Sequence, residues 1–561
     1  LADELAGYAG KVAESAETLY KVLEIYEKDS LIMHKVYGYA FKSRDVDTTS
    51  TSAQTLYSKS MSAGVEISEK LAFLEPEIIA VDDAALEKFY GEKPELDKYK
   101  IYITEIRRGR EHSLSPELEK LLAGTNELAD LPYEGFATLG NADLKFPEIT
   151  NEKGEKIQIT NGRFVPLEES KDRRVRKEVF EKYYETFGSF KNTWATLYAG
   201  QVKQLMFYAR ARKYSSTLEA AVDGNNVSPA VYKNLVEAVN DNLDKMHRYV
   251  SLRKKLLELD ELHMYDIYVP IVKDYDAKYT IEEAKELVLK AVEPLGTNYV
   301  NLIKKAFAER WIDVVENEGK RNGAYSSGVY GVHPFVLLNF NGTLDNVFTL
   351  AHEMGHAMHS YFSNEAQNYL DSRYKIFVAE VASTTNEVLL MEYMLKNAKD
   401  NKERAYLLNH YMDSFKGTVF RQTMFAEFEK TSNEMAEAGE PLTHENLTEL
   451  YLNLNKKYYG EAMISDDLIG YEWMRIPHFY YNFYVYQYAT GFSAAVAIAN
   501  RVLKEGETAV NDYMKFLQSG CTKDPVSLLR IAGVDMATKE PINSALKVFE
   551  RVIEEMEELT K

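Results

Sequence analysis

The sequence predicts a mainly α chain, a multi-helical body of two lobes with one small β-hairpin or sheet element, and three observations carry that prediction. The chain has 561 residues, too many for one compact core, so two or three lobes are expected. It holds only 14 prolines and 29 glycines, few breakers for that length. Apolar residues recur at three- and four-residue spacing over long stretches, the period of a helix with one buried face.

Taken in chain order, Tyr8, Val12, Ala16, Leu19 and Val22 give the first such face. The main exception is about 130–165. There Phe136-Ala137-Thr138-Leu139 and Asp143-Leu144-Lys145-Phe146 precede a turn-rich Asn151-Glu152-Lys153-Gly154-Glu155-Lys156 and then Ile157-Gln158-Ile159-Thr160. Gly154 offers the positive φ that a hairpin turn wants, so this stretch is predicted to be a β-hairpin. The change of pattern after it suggests a boundary near 160, separating an N-terminal helical lobe, 1–160, from a second helical domain, 161–561. The basic run from Lys171 to Lys177 is interrupted by acid and reads as a solvated helix face. Leu235, Val239, Leu243, Met246 and Val250 continue the helical pattern, and Phe335 to Phe340, between Pro334 and Asn341-Gly342, reads as a short strand.

Bulk composition removes several function classes. Hydrophobic residues at 45% and charged ones at 27% are ordinary for a globular chain. The net charge of -20 argues against a nucleic-acid backbone or an anionic membrane as the main partner, because both need clustered Lys and Arg. No apolar run is long enough to span a bilayer. The opening Leu1-Ala2-Asp3-Glu4-Leu5 has neither a basic nor an apolar leader region, which predicts no signal peptide. Cys521 is the single cysteine, so no intrachain disulfide can form, which suits a reducing, cytoplasmic location.

The chemistry concentrates in Thr349-Leu350-Ala351-His352-Glu353-Met354-Gly355-His356-Ala357. Leu344, Val347, Phe348, Ala351, Met354, Met358 and Tyr361 lie at helical spacing, Thr343 is a fitting N-cap, and Asp345 sits in the first turn, where the helix dipole favours an acid. Four residues exceed one turn slightly, so His352 and His356 lie about 40° apart on one face. Two such imidazoles can reach one ion at about 2.0–2.1 Å. Glu353 is rotated by about 100°, placed to take a proton from water at the metal but not to ligate it. With 11 histidines in the chain, a chance His-Glu-x-x-His is expected only roughly 0.02 times.

A third ligand is required. His359 lies about 10.5 Å along the axis from His352, too far for three stacked rings to converge, and reads as a surface or supporting residue. After a turn region from Ser363 to Ser372, a second helix is expected from about Tyr374, with Phe377, Val381, Val388, Met391 and Leu395 on its apolar face and Glu380, Thr384 and Glu387 on another. An antiparallel pair would bring Glu380 across from His356. Two His and one Glu leave a fourth position for water, as a catalytic zinc site needs. On spacing alone Glu365 and Glu387 compete with Glu380, and Glu387 is also a candidate acceptor for a ligand ring N–H.

The pair of segments His352-Glu353-Met354-Gly355-His356 and Phe377-Val378-Ala379-Glu380-Val381-Ala382-Ser383 resembles oligoendopeptidase F, within the wider thimet oligopeptidase and neurolysin group. Asp143 to Pro147, Val175 to Glu178, Asn322 to Ser326 and Tyr484 to Gly491 resemble it too, and the likeness is thinnest over the first hundred residues. The resemblance implies one zinc ion held by His352, His356 and Glu380, and a helical body split by a deep channel that admits oligopeptides. It also implies a His and several Tyr that contact substrate from a late segment. Here that segment is Pro477 to Tyr488, in which His478, Tyr481 and Tyr488 match best and Tyr486 is a further substrate-binding candidate. The spacing between His478 and the first Tyr is shorter than in neurolysin-like members.

Read from the residues themselves, Tyr481 and Tyr488 are seven apart and would share one helix face, and a phenol aimed at the scissile carbonyl oxygen can stabilise the developing charge. The strand at 335–340 could align an extended peptide along its edge. Three functions compete: a zinc endopeptidase of short peptides, a zinc carboxypeptidase using Arg475 or Arg501 to hold a terminal carboxylate, and a peptide-binding protein with structural zinc. The open fourth position disfavours the last, since structural zinc sites are closed.

Overall fold

The computed structural model describes residues 1–272 and 277–561, apart from the side chain of Pro116. Helices dominate, and the strands are no longer than three residues. The elements used below are, in chain order, the helices α1 (Ala16–Val46) and α2 (Thr51–Leu71), the strands β1 (Glu148–Thr150) and β2 (Lys156–Gln158), helix α3 (Lys191–Ala211), and strands β3 (Leu262–His263), β4 (Ile312–Asp313), β5 (Tyr325–Ser327) and β6 (Phe335–Leu337). They continue with α4 (Leu344–Ala366), α5 (Ile376–Lys396), α6 (Arg421–Glu437), β7 (Met463–Ile464) and α7 (Tyr486–Glu505).

The chain packs as two compact units, each assembled from separated segments. The first comprises Leu1–Ser113, Ala277–Tyr393 and Ile498–Val534, and the second Leu114–Asp276, Met394–Ala497 and Asp535–Lys561. The predicted boundary near 160 falls inside the second unit, because packing groups segments that are far apart in sequence.

Within the first unit, α1 is capped by Ser15, whose side chain accepts the Thr18 backbone N–H at 3.1 Å and so satisfies one free donor of the first turn. Leu19, Val22 and Leu23 of α1 are fully buried with Leu5, Val12, Ile78, Leu96 and Tyr99. The same unit holds a three-stranded sheet of order β4-β6-β5, with β6 parallel to β4 and antiparallel to β5. The strand expected at 335–340 is therefore present as β6, but it lies in the middle of the sheet. Both its edges are paired, so it offers a substrate no free edge. The outer strands of this sheet are β4 and β5.

In the second unit, the hairpin expected around Gly154 is present and short. Gly154 has φ +80°, and the Asn151 side chain accepts the Lys153 and Glu155 backbone N–H groups at 3.0 and 2.9 Å, which fixes the turn between β1 and β2. Phe136 to Leu139, read as part of the β region, is helical instead: a helix covers Asn126–Thr138. Phe136 packs against Tyr480 and Trp194, with ring centroids 4.6 and 5.5 Å away, and this tertiary contact outweighs the local pattern. The basic run is a solvated face only in part, since Lys171, Arg174 and Lys177 are exposed but Arg176 is not. Arg176 is buried and donates to Asp266 at 2.7 Å, and Arg173 reaches the same fully buried carboxylate at 2.9 Å. Only a partner ninety residues away explains two of those cations, and sequence spacing cannot show it.

Candidate metal centre

The helix α4 starts where the sequence predicts. Thr343 caps it, its hydroxyl accepting the Asn346 backbone N–H at 3.2 Å while Asn346 reaches back to the Thr343 N–H. It continues to Ala366, past the expected end at about 362, and α5 follows after a short turn. The two helices cross antiparallel, as a series of contacts shows. His352 lies opposite Glu387, Ala351 opposite Asn386, Gly355 opposite Ser383, and His356 opposite Glu380.

Two features set this crossing. At Gly355 an added Cβ would lie 2.5 Å from the Ser383 Cα and 2.6 Å from the Ala382 carbonyl oxygen, so the helix backbones touch there. Asn386, fully buried, then ties the pair: its side-chain N–H donates to the Ala351 carbonyl at 3.1 Å while its oxygen accepts the Tyr299 hydroxyl at 2.9 Å.

The result brings three of the predicted residues to one point. The Nε2 atoms of His352 and His356 lie 3.3 and 3.5 Å from the same Glu380 oxygen. The rings stand nearly perpendicular, 82°, at a centroid separation of 4.8 Å. Donors bound tetrahedrally at 2.0–2.1 Å sit about 3.3–3.4 Å apart, so these spacings fit one zinc-sized cation. Among the described residues this is the one group of three or more His, Cys, Asp or Glu so gathered. Glu365 lies exposed near the end of α4 and is not part of it. Glu387 instead contacts the other ring nitrogen, Nδ1, of His352, the position from which a carboxylate fixes the tautomer that leaves Nε2 free.

Opposing charges are concentrated here. Burial opposes a charged His352, but the carboxylates of Glu380 and Glu387 prevail and hold its pKa up at about 10. Burial would raise Glu380, yet its hydrogen bonds to His352 and His356 keep it well below the usual carboxylate range. Glu353 projects from the same turn, is 6% exposed, and has one carboxylate oxygen without a protein partner. Burial raises its pKa, against the two imidazoles. His359 corrects its prediction: it is a core residue, stacked on Tyr374 at 3.7 Å, and burial pushes its pKa down to about 3.

Comparison with known proteins identifies the family. Residues 166–548 match the model of peptidase family M3, and residues 77–146 match that of Oligopeptidase F. The chain belongs to peptidase family M3. It is 49% identical over 559 residues to oligopeptidase PepF of Bacillus subtilis, covering 100% of this chain and 83% of that protein. Group B oligopeptidase PepB of Streptococcus agalactiae is 42% identical, with 99% and 92% covered. The crystal structure of oligoendopeptidase-F from Enterococcus faecium superposes with a TM-score of 0.78 at 40% identity, covering 100% of this chain and 97% of that one. As a member of the family the chain is a metallopeptidase acting on peptides, and its mainly helical fold is the family's. Among the described residues no helix is long and apolar enough to cross a membrane.

The late segment of this M3 peptidase, in the second unit, departs from its prediction. A 3-10 turn covers Pro477–Tyr480 and α7 starts only at Tyr486. Tyr481 therefore sits in a loop and Tyr488 in the first turn of α7, so they do not share a helix face. Asn482 and Phe483 adopt left-handed conformations, φ +54° and +59°, which interrupt any helix. His478 and Tyr488 do come together: the His478 Nε2 lies 3.2 Å from the Tyr488 hydroxyl. Tyr481, 42% exposed, meets His478 edge-on at 5.5 Å and faces Tyr133. Tyr486 is 1% exposed and packed on Tyr232, so it serves the core and offers no surface to a peptide. Sequence reasoning passed over Gly355, although a glycine between the motif's Glu and second His was the visible signal, and over β5.

Proposed function

We propose that this M3 peptidase is a cytoplasmic, zinc-dependent oligoendopeptidase that cleaves internal bonds of short peptides. The observation that carries the proposal is the convergence of His352, His356 and Glu380, with one Glu380 oxygen 3.3 and 3.5 Å from the two imidazoles, beside the buried, half-unpartnered carboxylate of Glu353. His352, His356 and Glu380 would hold the ion, with Glu387 orienting His352. Bound there, zinc would act as a Lewis acid on the scissile carbonyl and lower the pKa of the attacking water. Glu353 takes the water's proton and delivers it to the leaving amine, one carboxylate serving as base and then as acid. The outer edge of β5, in the same unit, is suited to pair with an extended substrate backbone. His478 and Tyr488 are assigned to substrate carbonyl contact on the family resemblance and on their mutual hydrogen bond, and Tyr481 to substrate binding on its exposure.

The carboxypeptidase reading loses its proposed anchors. Arg475 is committed to Glu472 at 2.7 Å, and Arg501 to Glu505 at 2.8 Å as well as the Ala532 carbonyl at 2.5 Å. A quenched fluorescent peptide blocked at both ends decides between them. Internal cleavage that stops with chelator and returns with zinc is expected. Cleavage confined to peptides with a free C-terminus would refute the endopeptidase reading. Glu353→Gln should keep the metal and lose at least about a hundredfold in kcat, the usual contribution of a general acid–base group; a fully active variant would remove Glu353 from the mechanism.

A further inference from the structure

The loop between the Pro477–Tyr480 turn and α7 is held in an unusual conformation. Among the described residues, Asn482 and Phe483 are the one adjacent pair of non-glycine residues with positive φ. Asn tolerates that region, but Phe is strongly disfavoured in it, so neighbouring structure must hold the pair there. Two buried side chains do so, both within the second unit. Glu429 of α6, 1% exposed, accepts the Phe483 backbone N–H at 2.7 Å. Gln201 of α3, 2% exposed, donates to the Asn482 side-chain oxygen at 2.8 Å and to the Tyr480 carbonyl at 3.4 Å. Phe483 itself is 1% exposed, so the reversal turns its ring inward while Tyr481, two residues earlier, faces out.

The position of Glu429 needs an explanation. Its second oxygen has no protein partner and burial pushes its pKa up to about 8, yet this buried carboxyl is spent on one loop amide. A core position built for packing would hold an apolar residue. We infer that Glu429 is a positioning residue: by capturing the Phe483 N–H it locks the left-handed pair at 482–483 and thereby sets the His478–Tyr488 contact and the outward pose of Tyr481. The inference rests on the reading that His478, Tyr481 and Tyr488 touch substrate.

Hydrogen exchange followed by mass spectrometry, with kinetics on a blocked peptide, tests it. In the wild-type enzyme the Phe483 amide, although in a loop, should exchange as slowly as an amide inside α7; rapid exchange overturns the inference whatever any variant does. Glu429→Leu should raise exchange over residues 478–488 and lower kcat/KM by tenfold or more, mainly through kcat, with metal content unchanged. Glu429→Gln, which keeps the accepting oxygen, should restore both. Loosened exchange with wild-type kinetics overturns the positioning role, as does failure of Gln to rescue. Tyr488→Phe is run alongside. If that variant turns over at the wild-type rate, the substrate-contact reading of the segment is what fails, and the inference falls with it by a separate route.

Discussion

Replacing Gly355 by alanine is the sharpest structural test of the metal centre, because it adds a single methyl and no charge. That methyl would arrive 2.5 Å from the Ser383 Cα and 2.6 Å from the Ala382 carbonyl oxygen, where ordinary contact begins at 3.4 Å. Both obstacles are backbone, so no side chain can turn aside, and α4 and α5 must separate locally by about 1 Å. Overpacking of this kind costs about 1–3 kcal/mol of stability. Its effect on the site should be larger than on the fold. Glu380 lies three residues from Ser383 on the helix being displaced, and its donor spacing to the two imidazoles, 3.3 and 3.5 Å, leaves little tolerance for such a shift. Misplacement by about 1 Å is worth about a hundredfold in rate. Zinc affinity by competition with a chromophoric chelator, thermal melting and peptide turnover would be measured on one preparation. A folded Gly355→Ala variant with weakened zinc binding and a kcat/KM down by about a hundredfold is expected. Wild-type affinity and turnover would refute the claim that this close crossing positions Glu380.

Two further predictions concern single carboxyl groups. Removing Glu387 by Glu387→Ala takes away the partner of the His352 Nδ1 and should weaken metal binding about 10–100-fold with the fold intact, read by the same competition titration. Glu429 gives a pH signature. Its folded pKa of about 8 lies above its ordinary 4.5, so the folded state keeps a proton that the unfolded state loses between those values. Stability is therefore fully present below 4.5 and falls as pH rises towards 8, by up to about 5 kcal/mol if the whole difference is expressed. The nearby tyrosines Tyr198 and Tyr232 have pKa values raised well above 10 and do not titrate in that window. Chemical denaturation at pH 5 and pH 8 should show the loss in the wild type and a flatter profile in Glu429→Gln; identical slopes would contradict it.

What the sequence revealed, and what it hid, follow from the range of the interactions involved. The Thr343 cap, the paired imidazoles and the apolar face of α5 are local, and all were legible from spacing. The convergence of Glu380 on both rings required only that two consecutive helices fold back on each other. The errors arose where distant segments decide. β6 became a central strand because β4 and β5, from 312–313 and 325–327, pair with both its edges. The Tyr481–Tyr488 helix face failed because Glu429, fifty-four residues before Phe483, stabilises a reversal that no local propensity favours. Arg176 looked solvated until Asp266 supplied its buried partner. Interleaved packing units are equally invisible to a boundary drawn from a change of pattern.

Crystals grown with zinc, with diffraction recorded on both sides of the zinc absorption edge, test the central claim most directly. A single anomalous peak is predicted about 2.0–2.2 Å from the Nε2 atoms of His352 and His356 and from a Glu380 oxygen. A peak bound elsewhere, or a Glu380 carboxylate turned away from both rings, would contradict it.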